Sequence, residues 1–406
     1  MKNRYTAVAA VALLSFTLAA SAADKKGVRA AVGKPLIAAQ AAIKDKDYAK
    51  AQAQLDEASK VADLTPYEQY SIARMQTGVS LGEGDTAKAL AAYEAVYNSP
   101  ELPPEEKEQV VSVLAKLAYQ SKDYAKAAKY GQMFLDNGGN DAQMPLIVAQ
   151  AQYLNNDFAA AEKGLLAMFA KAEQAGQKPT ELELKLYMSC ATKMNDKPTY
   201  IDALKRLVAD YPQSMYWQEL IVQSIAQPGF NDDRYSLDMY RLKAATGTLE
   251  GSAEFADAAQ LALQAGLPGE AQQYLDQGYA KGELGSGTSA KQDATLKKQI
   301  AAKVAEDKKS LAEGERLAAK QASGDALVAT GLDYVGYGES AKGVELIKQG
   351  IAKGKLKDPN GASLHLGYAQ FQAGQLADAQ QTFKSVSGSD GAHRLAELWL
   401  LVKQAP

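Results

Sequence analysis

The chain has 406 residues, of which 47% are hydrophobic and 23% charged, a balance that excludes a disordered polymer and a multispanning membrane protein. Its 45 basic and 48 acidic residues give a net charge of -3, so it lacks the bulk positive field that holds a nucleic-acid backbone. One Cys and two His allow no internal disulfide and no zinc site built from Cys and His alone.

In chain order, the first element is a leader. Lys2 and Arg4 precede the uncharged, mainly apolar run Ala7 to Ala19, and Ala20-Ser21-Ala22 supplies small residues for cleavage, so residues 1–22 read as a secretory signal peptide. The apolar run is too short to span a hydrocarbon core about 30 Å thick. No Cys lies near the cleavage point to carry a lipid. Without Lys2 and Arg4 the mature chain would carry 43 basic against 48 acidic residues, with no membrane insertion after cleavage. A bacterial-style leader directs it to the periplasm.

The body is repetitive. Lys46-Asp47-Tyr48-Ala49-Lys50-Ala51 recurs as Lys122-Asp123-Tyr124-Ala125-Lys126-Ala127 and, more loosely, as Asn156-Asp157-Phe158-Ala159-Ala160-Ala161. The closing small residue falls at Ala51, Ala89, Ala127, Ala161, Ala203, Ala271, Gly343 and Ala379, with gaps of 38, 38, 34, 42, 68, 72 and 36. The two long gaps imply degenerate units near Leu237 and Asp307, giving about ten. Each unit predicts an apolar-periodic helix, a short turn, and a second helix with a small residue facing its partner. A large side chain there would overpack the seam. Tyr48, Tyr124 and Phe158, three residues earlier, are expected to fill the space between hairpins.

Residues 23–280 therefore form one hairpin block. Residues 281–323 follow as a flexible Gly/Ser-rich break, 281–289, and a long charged helix or degenerate repeat with Leu296, Ile300, Val304, Leu311 and Leu317 as anchors. Residues 324–406 complete the array with further repeats and a capping helix bearing Leu395, Leu398, Trp399 and Val402.

The pattern resembles the tetratricopeptide repeat (TPR) family, secreted Gram-negative type. Leu327, Gly331, Tyr334 and Gly338 fit the first half of its motif, and Leu366, Gly367, Gly374, Ala379 and Phe383 fit most of it. Phe255, Ala258, Ala259, Gly266, Ala271 and Leu275 form another good unit, while Trp217 and Leu220 open a weaker one. The resemblance implies an all-α, right-handed superhelical solenoid of about ten TPR-like hairpins.

Chemistry-bearing motifs are scarce. Gly336-Tyr337-Gly338-Glu339-Ser340-Ala341 matches a dinucleotide fingerprint in letters but falls in a turn between helices rather than between strand and helix. His365 and His393 lack metal-binding spacing, and Cys190, among Leu186, Tyr187 and Ala191, reads as buried and inert. Neither an enzyme nor a cofactor is indicated.

In the TPR resemblance, first helices line a concave groove that binds a peptide or partner helix. Its candidates here are Gln40, Arg74, Lys116, Tyr119, Gln150, Tyr153, Thr192, Asn195, Gln260, Gln264, Tyr368 and Gln372. Amides and tyrosines suit backbone and flat apolar contacts. Tyr119 and Tyr153 are expected to be removable without cost to the seam. The family likeness implies a periplasmic scaffold or adaptor that holds another envelope protein or peptide segment. The alternative is an accessory subunit of cell-wall (peptidoglycan) enzymes or of a TonB-type energy-transducing system. Nucleic acid is not an expected partner.

Overall fold

A computed structural model describes residues 27–230, 232–388 and 391–403. The leader motif, Lys2 through Ala22, lies outside them. The chain divides into two compact units, Met1–Asn195 and Asp196–Pro406, each all-helical in its described residues.

The first unit contains α1 (Ala30–Lys44), α2 (Tyr48–Ser59), α3 (Pro66–Glu83), α4 (Thr86–Asn98), α5 (Lys107–Gln120), α6 (Tyr124–Asp136), α7 (Met144–Leu154), α8 (Phe158–Gln174) and α9 (Glu181–Met194). Helices α1/α2, α3/α4, α5/α6 and α7/α8 are four successive antiparallel hairpins. One turn builds all four. In the first, Lys46 takes a left-handed conformation at φ 60° and its N–H donates to the Ile43 carbonyl at 3.0 Å. The Asp47 N–H reaches back to the Ala42 carbonyl at 2.8 Å, so the last free carbonyls of α1 are satisfied. Asp47 then caps α2 by accepting from the Lys50 N–H at 3.1 Å. Gly84-Asp85, Lys122-Asp123 and Asn156-Asp157 repeat this geometry. The recurrent dipeptide thus encodes a helix stop followed by a helix start.

Ala51, Ala89, Ala127 and Ala161 are fully buried in the seams, as the spacing predicts. The aromatics divide differently from expectation. Tyr48 does reach the next hairpin, its ring lying where a Cβ on Gly82 would stand. Tyr124 and Phe158 instead pack edge-on against Tyr119 and Tyr153 of their own hairpins, at 5.8 and 5.3 Å between ring centres. Small Gly82 makes room for Tyr48; the tyrosines three residues before the other turns attract the ring inward.

The second unit contains α10 (Lys197–Asp210), α11 (Ser214–Ile225), α12 (Asp232–Ala245), α13 (Gly251–Gln264), α14 (Pro268–Ala280), α15 (Ala290–Lys320), α16 (Asp325–Gly336), α17 (Ser340–Lys353), α18 (Pro359–Gln372), α19 (Leu376–Ser385) and α20 (Gly391–Trp399). The α13/α14, α16/α17 and α18/α19 hairpins follow the repeat pattern. Gly343 stands at the Ala position because α16 and α17 approach so closely that a Cβ there would lie 2.6 Å from the Gly331 carbonyl oxygen.

Two expectations are corrected here. Near Leu237 the chain forms α11 and α12, which pack only lightly on each other, and around Asp307 it adopts the long charged helix rather than the degenerate repeat. Residues 290–320 are one helix of 31 residues, because nothing in that stretch ends a helix: its single glycine, Gly314, keeps ordinary helical backbone in open space. The break at 281–289 is anchored rather than loose. Leu284 is buried against Gly278, and the Asp293 carboxylate accepts from the Gly285 N–H at 2.9 Å and the Ser289 hydroxyl at 3.1 Å. The two compact units divide after Asn195. Helices α10 to α14 join the C-terminal repeats because α20 packs on α11 and α12 as well as on α18 and α19, and α14 packs on α16. Arg394 on α20 donates to the Gln227 and Pro228 carbonyls at 3.0 and 3.1 Å, and Lys205 pairs with Glu397 at 3.2 Å. The cap therefore closes the second unit on itself.

Candidate functional site

Curvature of the first unit follows from which helices touch. Three pairs of first helices pack on one another (α1 on α3, α5 on α7, α7 on α9), though α3 and α5 do not pack comparably, whereas no pair of second helices does so among the described residues. The first helices therefore occupy the tighter, inner side. Several of the sequence candidates on these helices are tied from one hairpin to the next. Arg74 donates to the Tyr70 hydroxyl at 2.6 Å and pairs with Glu106, ahead of α5, at 3.0 Å. Lys116 on α5 pairs with Asp141, ahead of α7, at 2.7 Å. The Tyr119 hydroxyl donates to Gln150 Oε1 on α7 at 3.0 Å. Arg74, Lys116, Tyr119, Gln150 and Tyr153 are all half-buried. They form a preorganised strip whose polar atoms are already oriented and whose tyrosine faces offer flat apolar area.

The flanks of that strip are exposed. Gln40 lies open on α1 and Thr192 on α9, its hydroxyl turned back to the Met188 carbonyl at 2.9 Å. Asn195 ends α9 in a left-handed conformation at φ 54°, so it serves as a helix stop. Because Tyr119 and Tyr153 are packed edge-on, removing both costs packing as well as ligand area. That corrects the expectation that they are dispensable for stability.

The second unit does not extend the strip. Gln260, Gln264 and Gln372 are exposed on α13 and α18, but Tyr368 is 6% exposed and its ring lies 4.9 Å from the guanidinium carbon of Arg241. Tyr368 belongs to a buried ionic core that the sequence reading missed. Arg241 on α12 donates to both Glu270 oxygens on α14, at 2.8 and 2.7 Å, and to Asp238 Oδ1 at 2.7 Å. The Tyr274 hydroxyl donates to Glu270 at 3.2 Å, and His365 Nε2 on α18 lies 3.1 Å from Asp238 Oδ1. Burial by itself would raise the Asp238 carboxyl, but His365 and Arg241 outweigh it and hold it down to about 2. Every charged member has an opposite partner, so the cluster ties three helices together and leaves no carboxylate poised for proton transfer. The Asp238-x-x-Arg241 spacing was the only local signal; nothing in the sequence places Glu270 and His365 beside it.

Other sequence readings are placed directly. Cys190 is fully buried, and burial pushes its thiol up to about 11 with help from Glu162. Gly336 to Ala341 spans the α16/α17 turn, with Gly338 left-handed at φ 83°. Among the described residues, no group of three or more His, Cys, Asp and Glu is placed to hold a metal ion, and no helix is long and apolar enough to cross a membrane.

No family model and no curated protein matches the chain. Among solved structures, one of Naa15/Naa10 bound to HypK-THB is 16% identical with a TM-score of 0.32, covering 90% of this chain and 58% of that one. This chain thus spans little more than half the length of that relative. A structure of Pseudomonas aeruginosa pilF is 19% identical with a TM-score of 0.23, covering 48% of this chain and 97% of that one. The assignment as an all-α helical-repeat solenoid rests on the hairpins themselves.

Proposed function

We propose that the chain is a TPR-like scaffold that captures an extended segment of a partner protein on the inner, first-helix strip of residues 27–195, and that it does so without catalysis or cofactor. The observation that carries this reading is the chain of half-buried polar links Arg74–Glu106, Lys116–Asp141 and Tyr119–Gln150, which holds side chains suited to peptide backbone and aromatic contact in fixed positions. Preorganisation of this kind lowers the entropic cost of binding. The leader motif supports export, and with it a periplasmic scaffold in an envelope complex.

Two experiments test the proposal. The N-terminal sequence of the chain made in a Gram-negative host should begin at Ala23; a product that still begins at Met1 would remove the periplasmic part. Partners recovered by crosslinking in cells, then purified, should bind Gln150→Arg about tenfold more weakly, since the longer cation breaks the Tyr119 link and fills the strip. Undiminished binding by a normally folded Gln150→Arg chain would move the site elsewhere.

A further inference from the structure

The long helix α15 divides its charges by side. It carries eight Lys and Arg and five Asp and Glu, a surplus of three cations in a chain of net charge -3. Three of its acids turn inward and are engaged there: Asp293 with Gly285 and Ser289, Asp307 with the Tyr337 hydroxyl at 2.9 Å, and Glu315 with Lys342 at 2.7 Å. They lie on the same stripe as buried Ile300, Val304 and Ala318. At 3.6 residues per turn, Lys291, Lys298, Lys309, Arg316 and Lys320 fall on the opposite side, and all five are exposed. One acid, Glu313, shares this side, five turns on from Thr295, and it pairs with Arg316; the four lysines have no ion-pair partner among the described residues. The result is a ridge of cations about 44 Å long on a chain whose other residues carry a net negative charge.

We infer that this ridge is a docking surface for an acidic α-helix of a partner protein. Spacing decides among polyanions. Lys291 to Lys298 and Lys309 to Arg316 are each seven residues apart, about 10.5 Å, the distance between carboxylates spaced by two turns on a facing helix. Duplex DNA presents one charge per roughly 1.7 Å, far denser than this ridge, and the remaining surface repels it. A bilayer surface is also a poor fit. An interfacial helix needs a free apolar face, whereas Ile300, Val304 and Ala318 are packed, Leu317 stands exposed by itself rather than serving as an anchor, and the ridge side is filled in by Thr295, Ala302, Ala305 and Glu313. The flanking cations strengthen the field without competing for the ridge, since Lys297 and Lys308 lie over the rings of Tyr279 and Tyr337. This surface is separate from the strip on the first helices, and neither reading depends on the other.

The test uses the full mature chain and two labelled four-heptad helical peptides of identical composition, one with Glu at every seventh position and one with the same Glu residues at every fifth. Fluorescence anisotropy should show the heptad-spaced peptide bound about tenfold more tightly, with affinity falling as salt rises. Lys298→Glu with Lys309→Glu should abolish that preference, and Lys298→Gln with Lys309→Gln should weaken it, both with unchanged thermal melts because the side chains are exposed. Tyr119→Ala with Tyr153→Ala should retain it, which separates this surface from the strip. Equal binding of the two peptides, no binding, or tighter binding to phosphatidylglycerol-containing vesicles or to a DNA duplex would overturn the inference.

Discussion

Asp333→Asn should reverse part of the pH dependence of the second unit. Asp333 on α16 is 7% exposed, its Oδ1 has no hydrogen-bond partner, and its carboxyl meets that of Asp307 on α15. Burial, then the Asp307 carboxylate, then Glu270 on α14 push it up to about 7, so the two facing carboxyls share one proton near neutrality. Tyr337 donates to Asp307, and Lys308 sits over the Tyr337 ring at 5.1 Å. A carboxyl raised on folding binds its proton more readily in the folded chain. Stability is therefore fully present below the ordinary value of 3.8 and is lost as pH climbs toward 7. At about 1.36 kcal/mol per pH unit, the loss between pH 4 and pH 8 is about 4 kcal/mol. Asparagine cannot ionise, and its amide can donate to Asp307. Denaturant unfolding of wild type and variant at both pH values cancels the titrating groups that do not couple to the Asp333–Asp307 pair, and hydrogen exchange in α15 and α16 localises the difference. The difference should move by about 4 kcal/mol in favour of the variant at pH 8. Parallel pH profiles for the two proteins would refute the reasoning.

Two further predictions concern packing. Ala127→Leu places a large side chain in a fully buried seam between α5 and α6, and thermal melts should show a loss of roughly 1 to 3 kcal/mol, with protection lost first in adjacent hairpins. Arg241→Met leaves Asp238 and Glu270 buried without their shared cation, so unfolding should become easier by about 3 to 5 kcal/mol, accompanied by faster exchange in α20; a change well under 1 kcal/mol would mean that the ionic core is not what closes the second unit.

Much of this architecture is legible in the sequence because its signals are local. The Lys-Asp and Asn-Asp dipeptides specify a left-handed stop and an N-cap within two residues, and an Ala or Gly three positions after the start of the second helix marks a seam. Spacing alone misleads where no local signal checks it: the 72-residue gap between Ala271 and Gly343 has the length of two repeats but contains one unbroken helix. The ionic core is illegible for the opposite reason. Arg241 and Asp238 look like ordinary surface charges on a polar helix, and their burial depends on α14, α18 and α20 arriving from far along the chain. Tyr368 reads as a groove residue because its helix is a first helix, yet closure by α20 turns that face of the second unit inward, against Trp399 at 5.8 Å. The candidate strip was legible only in the first unit, where each hairpin repeats the geometry of the one before it.

The central claim is that the inner, first-helix strip of the first unit captures a partner. Photo-crosslinking residues introduced in cells at Gln40 and Gln150 on first helices, and at exposed Lys129 and Lys163 on the second helices α6 and α8, compare the two sides directly. The account predicts a shared crosslinked partner from Gln40 and Gln150 and none from Lys129 or Lys163. Crosslinks confined to Lys129 and Lys163 would contradict it.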